Sequence, residues 1–95
     1  MHVITKRRLR DFLVIHPDAT ASLLAWLRLA GHGSWRHPAD VRHDWPSADV
    51  VGNFIVFNIS GNKYRLVVYI DFTRHTIFIR YLLTHAEYDK GGMET

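Results

Sequence analysis

The sequence predicts an α+β fold in which an N-terminal αα-hairpin packs on an antiparallel β-sheet. Three observations predict it. Apolar residues recur at helical spacing in the first third, as Leu9, Phe12 and Leu13 and then as Leu23, Leu24, Trp26 and Leu27. From Gly52 onward the period changes to runs rich in Val, Ile, Phe and Tyr, the signature of strands. A length of 95 residues fits one domain, 1–95, and leaves no room for a second.

Taken in order, His2–Ile4 is a short first strand, and Thr5 is placed to cap a helix over Lys6–Ile15. Pro17 interrupts, and Asp18 is expected to cap a second helix over Ala19–Leu29 that Gly31 and Gly33 end. The connection Ser34–Asp49 carries Trp35 and Trp45, which predicts a loop tied down by packing. Within it, Pro38–His43 is expected to make one short helical turn, Pro38 taking the first position. Strands follow over Phe54–Ile59, Tyr64–Asp71 and Ile77–Leu83 as an antiparallel meander. A last helical turn is expected over Ala86–Lys90, with the end fraying beyond it.

Composition excludes several function classes. There is no cysteine, so neither a disulfide scaffold nor a thiolate metal site is available. The opening MHVITKRRLR puts charges where a signal peptide needs an apolar core, and the apolar runs are too short to span a bilayer. The cytoplasm is the expected location, with no membrane partner. Seven histidines form no H-E-x-x-H pair, and no metal or other cofactor is expected. No glycine-rich phosphate loop and no serine nucleophile elbow is present. Twelve basic residues against nine acidic leave a net +3, which permits a polyanionic partner such as RNA without demanding one.

Sheet register locates the chemistry. A two-residue turn at Gly61-Asn62 sets Asn58 opposite Arg65 and Val56 opposite Val67. A turn centred on Thr73-Arg74 sets Val67 opposite Arg80 and Arg65 opposite Leu82. Both registers place Asn58, Lys63, Arg65 and Arg80 on one face. The other face receives Tyr64, Leu66, Val68, Ile70, Ile77, Ile79 and Tyr81, a core-like set. Clustered cations repel one another unless an anion lies among them, and an RNA phosphate would supply it. The blander reading has Asp71, Glu87 or Asp89 neutralising them as ordinary surface pairs. His85 and Tyr88 follow the last strand directly, where they can reach over this face, and histidine moves protons near neutral pH. Lys6, Arg7, Arg8 and Arg10 crowd the first helix, as a solvated face or an electrostatic docking patch.

The blocks PSADVVGN, VFNISGNKYRLVVYI and IRYLLTHAEYDK, with the opening MHVITKRRLRDF and the following HPDA, resemble HigB-type toxins of the RelE superfamily over nearly the whole chain. The resemblance implies a RelE-like fold with a curved sheet, and mRNA cleavage on translating ribosomes without a metal. It also implies a partner, a HigA-type antitoxin with a helix-turn-helix domain. Carried onto GNKYRL, the last strand and THAEYDK, it implies Lys63, Arg65, Arg80, His85 and Tyr88 as the catalytic set, with Asp89 and Lys90 secondary. Asn58, Lys90, Lys6, Arg7 and Arg8 would contact RNA. The rival readings are a basic module that binds RNA or ribosome without cutting, and an interaction protein whose sheet face binds an acidic helix.

Overall fold

The computed structural model describes residues 1–4 and 6–91; the expected Thr5 cap and the last residues of the polar tail lie outside this range. The elements run β1 His2–Ile4, α1 Lys6–Ile15, a 3-10 turn Pro17–Ala19, α2 Thr20–His32 and α3 Pro38–Asp44. They continue with β2 Asp49–Val51, β3 Phe54–Ile59, β4 Tyr64–Asp71, β5 Thr76–Thr84 and α4 His85–Asp89. The helical hairpin and the meander stand where apolar periodicity puts them. Two features of the sheet do not. Asp49–Val51, where the sequence predicts the end of the connection and no strand, is an edge strand paired with Val56–Phe54, and β1 pairs with β5 in parallel, so the sheet is mixed in the order β1-β5-β4-β3-β2. Three-residue strands are too short to carry a readable alternation.

The second helix also departs from expectation at both ends. Asp18 does not cap it; Ala19 holds the cap position without a side-chain bond, because the Asp18 carboxylate accepts from the Tyr64 hydroxyl at 2.7 and 2.8 Å. At the far end the helix continues through Gly31 to His32. The Met1 ammonium donates to the Ala30 and Gly31 carbonyls at 3.0 and 3.2 Å, placing a cation at the negative end of the helix dipole.

The core lies between the hairpin and one face of the sheet, and Phe57 is its pivot. All three tryptophans meet this ring, Trp26 at 5.4 Å, Trp35 at 6.3 Å and Trp45 at 6.2 Å between centroids. Aromatic pairs of this kind add about 0.5–1.5 kcal/mol each beyond their burial. The long connection is therefore pinned to β3 from both of its tryptophans, as its composition predicts.

The hairpin β3–β4 has the expected register, with Asn58 opposite Arg65 and Val56 opposite Val67. Its turn is longer than two residues: the ladder ends at Ile59 and Tyr64, and Ser60 and Gly61 both take positive φ. The β4–β5 hairpin matches expectation only near its turn. A bulge between Val67 and Val68 makes Arg80 the extra residue, and beyond it Val67 faces Tyr81 and Arg65 faces Leu83. Arg80 therefore has no ladder partner, and its carbonyl accepts instead from Arg8 Nη1 at 3.1 Å. The slip moves Tyr81 from the expected core set to the face of Arg65, where it meets Phe54 edge-on at 6.5 Å, and sends Leu82 to pack on the core.

Candidate active site

Tyr64 and Arg65 are successive residues of β4 and so point to opposite faces of the sheet. Arg65 is the one charged side chain among the described residues that is buried, at 8% exposure. Burial of a guanidinium demands hydrogen-bond partners, and four neutral acceptors supply them. Nη1 donates to the carbonyls of Asn62 and Tyr64 at 3.1 and 3.2 Å, and Nη2 to Asn62 Oδ1 at 2.7 Å and His85 Nδ1 at 2.8 Å. The Tyr88 ring lies beneath the same group, its centroid 5.7 Å from Cζ, within cation–π range. No carboxylate among the described residues lies within ion-pair distance of Arg65. The guanidinium is thus satisfied in hydrogen bonding and uncompensated in charge.

His85 and Tyr88 reach Arg65 because β5 turns directly into α4. Thr84 caps that helix with a capping box: its hydroxyl accepts from Glu87 N at 3.1 Å while Glu87 Oε1 accepts from Thr84 N at 2.8 Å. The bond from the Thr84 backbone holds the Glu87 carboxyl below the usual range. His85 is further anchored through its own N–H, which donates to the Lys63 carbonyl at 2.8 Å. One turn on, Asp89 Oδ2 lies 2.8 Å from His85 Nε2. The donors around the ring assign its tautomer. Nδ1 accepts from Arg65 and so carries no proton, which places the ring proton on Nε2, facing Asp89. The result is a chain Asp89–His85–Arg65–Asn62 that crosses from α4 to the β3–β4 turn.

Of the residues expected from sequence, the fold brings Arg65, His85 and Tyr88 together. Arg80 is exposed at the bulge, beside Tyr81 and so about 7 Å along the strand from the Arg65 level. Lys63 does not share the strand face. It lies in the turn, and its ammonium is 3.3 Å from Asp18 Oδ2, because the longer turn leans toward the hairpin, with Ser60 N donating to Ser22 Oγ at 2.9 Å. Asp18 is held below the ordinary carboxylate range, first by the Tyr64 hydroxyl and then by Lys63, and the same bond pushes the Tyr64 hydroxyl up. Asn58 stands beside Arg65 in the ladder. Lys6, Arg7 and Arg8 are exposed on α1, and Lys90 is exposed at the end of α4.

Asn62 was missed by sequence reasoning. Its place in a Gly-Asn turn explained it fully, and nothing in the pattern signals that both its oxygens serve an arginine. Asp89 is only a secondary candidate from the resemblance; the spacing of His85 and Asp89, one helical turn apart, is the signal that pairs them. Among the described residues no three His, Asp or Glu side chains are placed to hold a metal ion, and no helix is long and apolar enough to cross a membrane.

Comparisons with known proteins agree with this architecture. The profile of the HigB_toxin family, the RelE-like toxic component of a toxin–antitoxin system, matches residues 19–91. The mRNA interferase toxin HigB of Escherichia coli (strain K12) is 32% identical over 92 residues, spanning 94% of this chain and 88% of that protein. The mRNA interferase HigB of Shigella flexneri is likewise 32% identical over 92 residues, with the same coverage. The chain, a helical hairpin on a five-stranded sheet, therefore belongs to the HigB toxin family and has a RelE-like fold.

Proposed function

We propose that this protein is the toxin of a cytoplasmic toxin–antitoxin pair and cleaves mRNA on the ribosome without a metal ion, Arg65 binding the scissile phosphate. The observation that carries this reading is the buried Arg65 guanidinium with four neutral acceptors and no carboxylate. A phosphate oxygen is a stronger acceptor than an imidazole nitrogen, and charge-assisted bonds of this kind are the strong ones. An incoming phosphate would draw Arg65 Nη2 away from His85 and leave Nδ1 free.

The reaction follows from RNA chemistry. The ribose 2′-OH attacks the adjacent phosphorus, its proton passing to His85 Nδ1. Asp89, bonded to Nε2, orients the ring and stabilises the imidazolium that forms. Arg65 supports the charge that builds on the phosphoryl oxygens, with Arg80 adding to the field. The bond from phosphorus to the 5′ oxygen breaks, that oxygen takes a proton from a water molecule that the imidazolium then reprotonates, and the products are a 2′,3′-cyclic phosphate and a 5′-OH, with His85 neutral again. Tyr88 presents a ring on which a nucleotide can stack. Asn58, Lys90, Lys6 and Arg7 contact or attract RNA, and Arg8 contributes mainly through the bulge it anchors. Lys63, paired with Asp18, is left a structural part. The partner is a HigA-type antitoxin.

The test is inducible expression of wild type beside Arg65→Ala, with transcript ends mapped in both and folding checked by circular dichroism. Wild type should produce new ends bearing 5′-OH and arrest growth. The folded variant should lose about 10²-fold or more of the cleavage. Growth arrest without new ends would instead mark a binding module, and full cleavage by Arg65→Ala would refute the assigned role.

A further inference from the structure

Beside the Arg65 site lies a groove of about 540 Å³ lined by Trp45, Asn58, Ser47, Ser22, Asp44 and Gly61. It exists because β2 is short. The strand covers only Phe54–Val56 of β3, and Trp45 closes the remaining edge, its Nε1 donating to the Asn58 carbonyl at 3.3 Å. Two links set the groove next to the Arg65 site. Asn58 stands directly opposite Arg65, which sets their Cα atoms about 5 Å apart, and Gly61 precedes Asn62, which holds the guanidinium through two bonds. Groove and guanidinium therefore flank the same turn.

The lining matches a base rather than a phosphate. Trp45 is half-buried, fixed edge-on against Phe57, and offers a rigid aromatic surface for stacking. Asn58 and Ser47 bring an amide and a hydroxyl that can read a base edge. Asp44 repels a phosphate and, as an ionised carboxylate, only accepts hydrogen bonds; Trp35 Nε1 donates to its Oδ2 at 2.9 Å and His43 Nδ1 lies 3.2 Å from its Oδ1, and the two hold its carboxyl below the usual range while leaving an oxygen lone pair for a further donor.

We propose that this groove is a nucleobase subsite that receives the base next to the scissile phosphate and favours one carrying an exocyclic amino group over uracil. The inference rests on the cleavage reading above and adds to it where selectivity resides. An acceptor-rich edge pairs with the amino donors of adenine, cytosine and guanine, whereas uracil presents carbonyls in their place.

The experiment maps transcript ends after induction of wild type, Asn58→Ala and Ser47→Phe, the last filling the groove from an exposed position. Thermal unfolding confirms that each variant folds. Wild type should show uracil depleted at one position flanking the cut. Both variants should weaken that bias by about fivefold or more while preferences at other positions stay unchanged. Wild-type base frequencies in both folded variants, or no bias in wild type, would overturn the subsite and leave the cleavage reading standing. If wild type yields no new ends, the cleavage reading fails and the subsite with it.

Discussion

Tyr64 and Arg65 are neighbours in sequence and head two clusters on opposite faces of one strand. Under the sheet, the Asp18 carboxylate receives the Tyr64 hydroxyl and the Lys63 ammonium, so its charge is matched within the protein. Above it, Arg65 makes four hydrogen bonds, but every direct acceptor is neutral. The nearest acid, Asp89, stands on the far side of His85. A matched charge holds the fold together, here by tying the 3-10 turn to β4. An unmatched one that is also buried stays attractive to an anion, because the low dielectric that makes its burial costly strengthens the interaction a ligand would make.

Exchanging the two conditions breaks the comparison most directly. Asn62→Asp puts a carboxylate where an amide oxygen sits 2.7 Å from Arg65 Nη2. The charge is then matched from within, and a phosphate must compete with it. Cleavage should fall by about 10²-fold, while the thermal midpoint holds or rises. Unchanged cleavage with the ion pair formed would show that the unmatched charge is not what binds substrate. The opposite exchange, Asp18→Asn, removes the matching charge under the sheet. The melting temperature should drop by several degrees for a domain this size, with cleavage by the folded fraction nearly unchanged. A loss of cleavage larger than the loss of folded protein would make the two faces one unit.

Acid and base titration sharpens the same contrast at smaller amplitude. The Asp18 carboxyl is depressed, chiefly by the Tyr64 hydroxyl. Its stabilisation is complete above the unfolded carboxylate value of about 3.9 and disappears as pH falls through the lower folded value. The Tyr64 hydroxyl is raised by the same bond. Its stabilisation is complete below about 10 and disappears as pH rises through the higher folded value. Urea midpoints of wild type should therefore be level between these limits and fall outside them. Asp18→Asn should lose most of both dependences, and retention of either limb would assign it to another group. Because Asp18 and Lys63 are partly exposed, both limbs should be shallow.

How far the site was legible depends on how many residues a signal spans. The hairpin helices and the β3–β4 register could be read because several apolar positions agree on one period. Arg65, His85 and Tyr88 could be placed near one another because β5 runs straight into α4. The bulge at Arg80 could not be read: one inserted residue leaves the alternation of IRYLL looking regular while shifting Tyr81 across the sheet. Lys63 went to the wrong face for a similar reason, since a turn of four residues rather than two leaves the pairing intact but lets its last residue lean away. The pairing of Arg65 with Asn62, and the absence of a carboxylate, lie in tertiary placement, to which periodicity is blind.

The smallest effect expected is at the cations the sequence makes most conspicuous. Lys6 and Arg7 are exposed on α1 and make no side-chain ion pair among the described residues. Their fields reach a distant anion only through water and salt, over about 8–10 Å at physiological ionic strength. Lys6→Ala and Arg7→Ala should each change stability by less than about 0.5 kcal/mol. Each should weaken RNA or ribosome association modestly and lower the slope of log affinity against log salt by about 1 if the residue meets a phosphate. Raising salt should erase their difference from wild type, whereas the defect of Arg65→Ala should persist, since a buried charge is little screened. If Lys6→Ala abolished cleavage at every salt concentration, α1 would belong to the active site. Burial would then no longer separate the residue that grips the phosphate from those that only attract it.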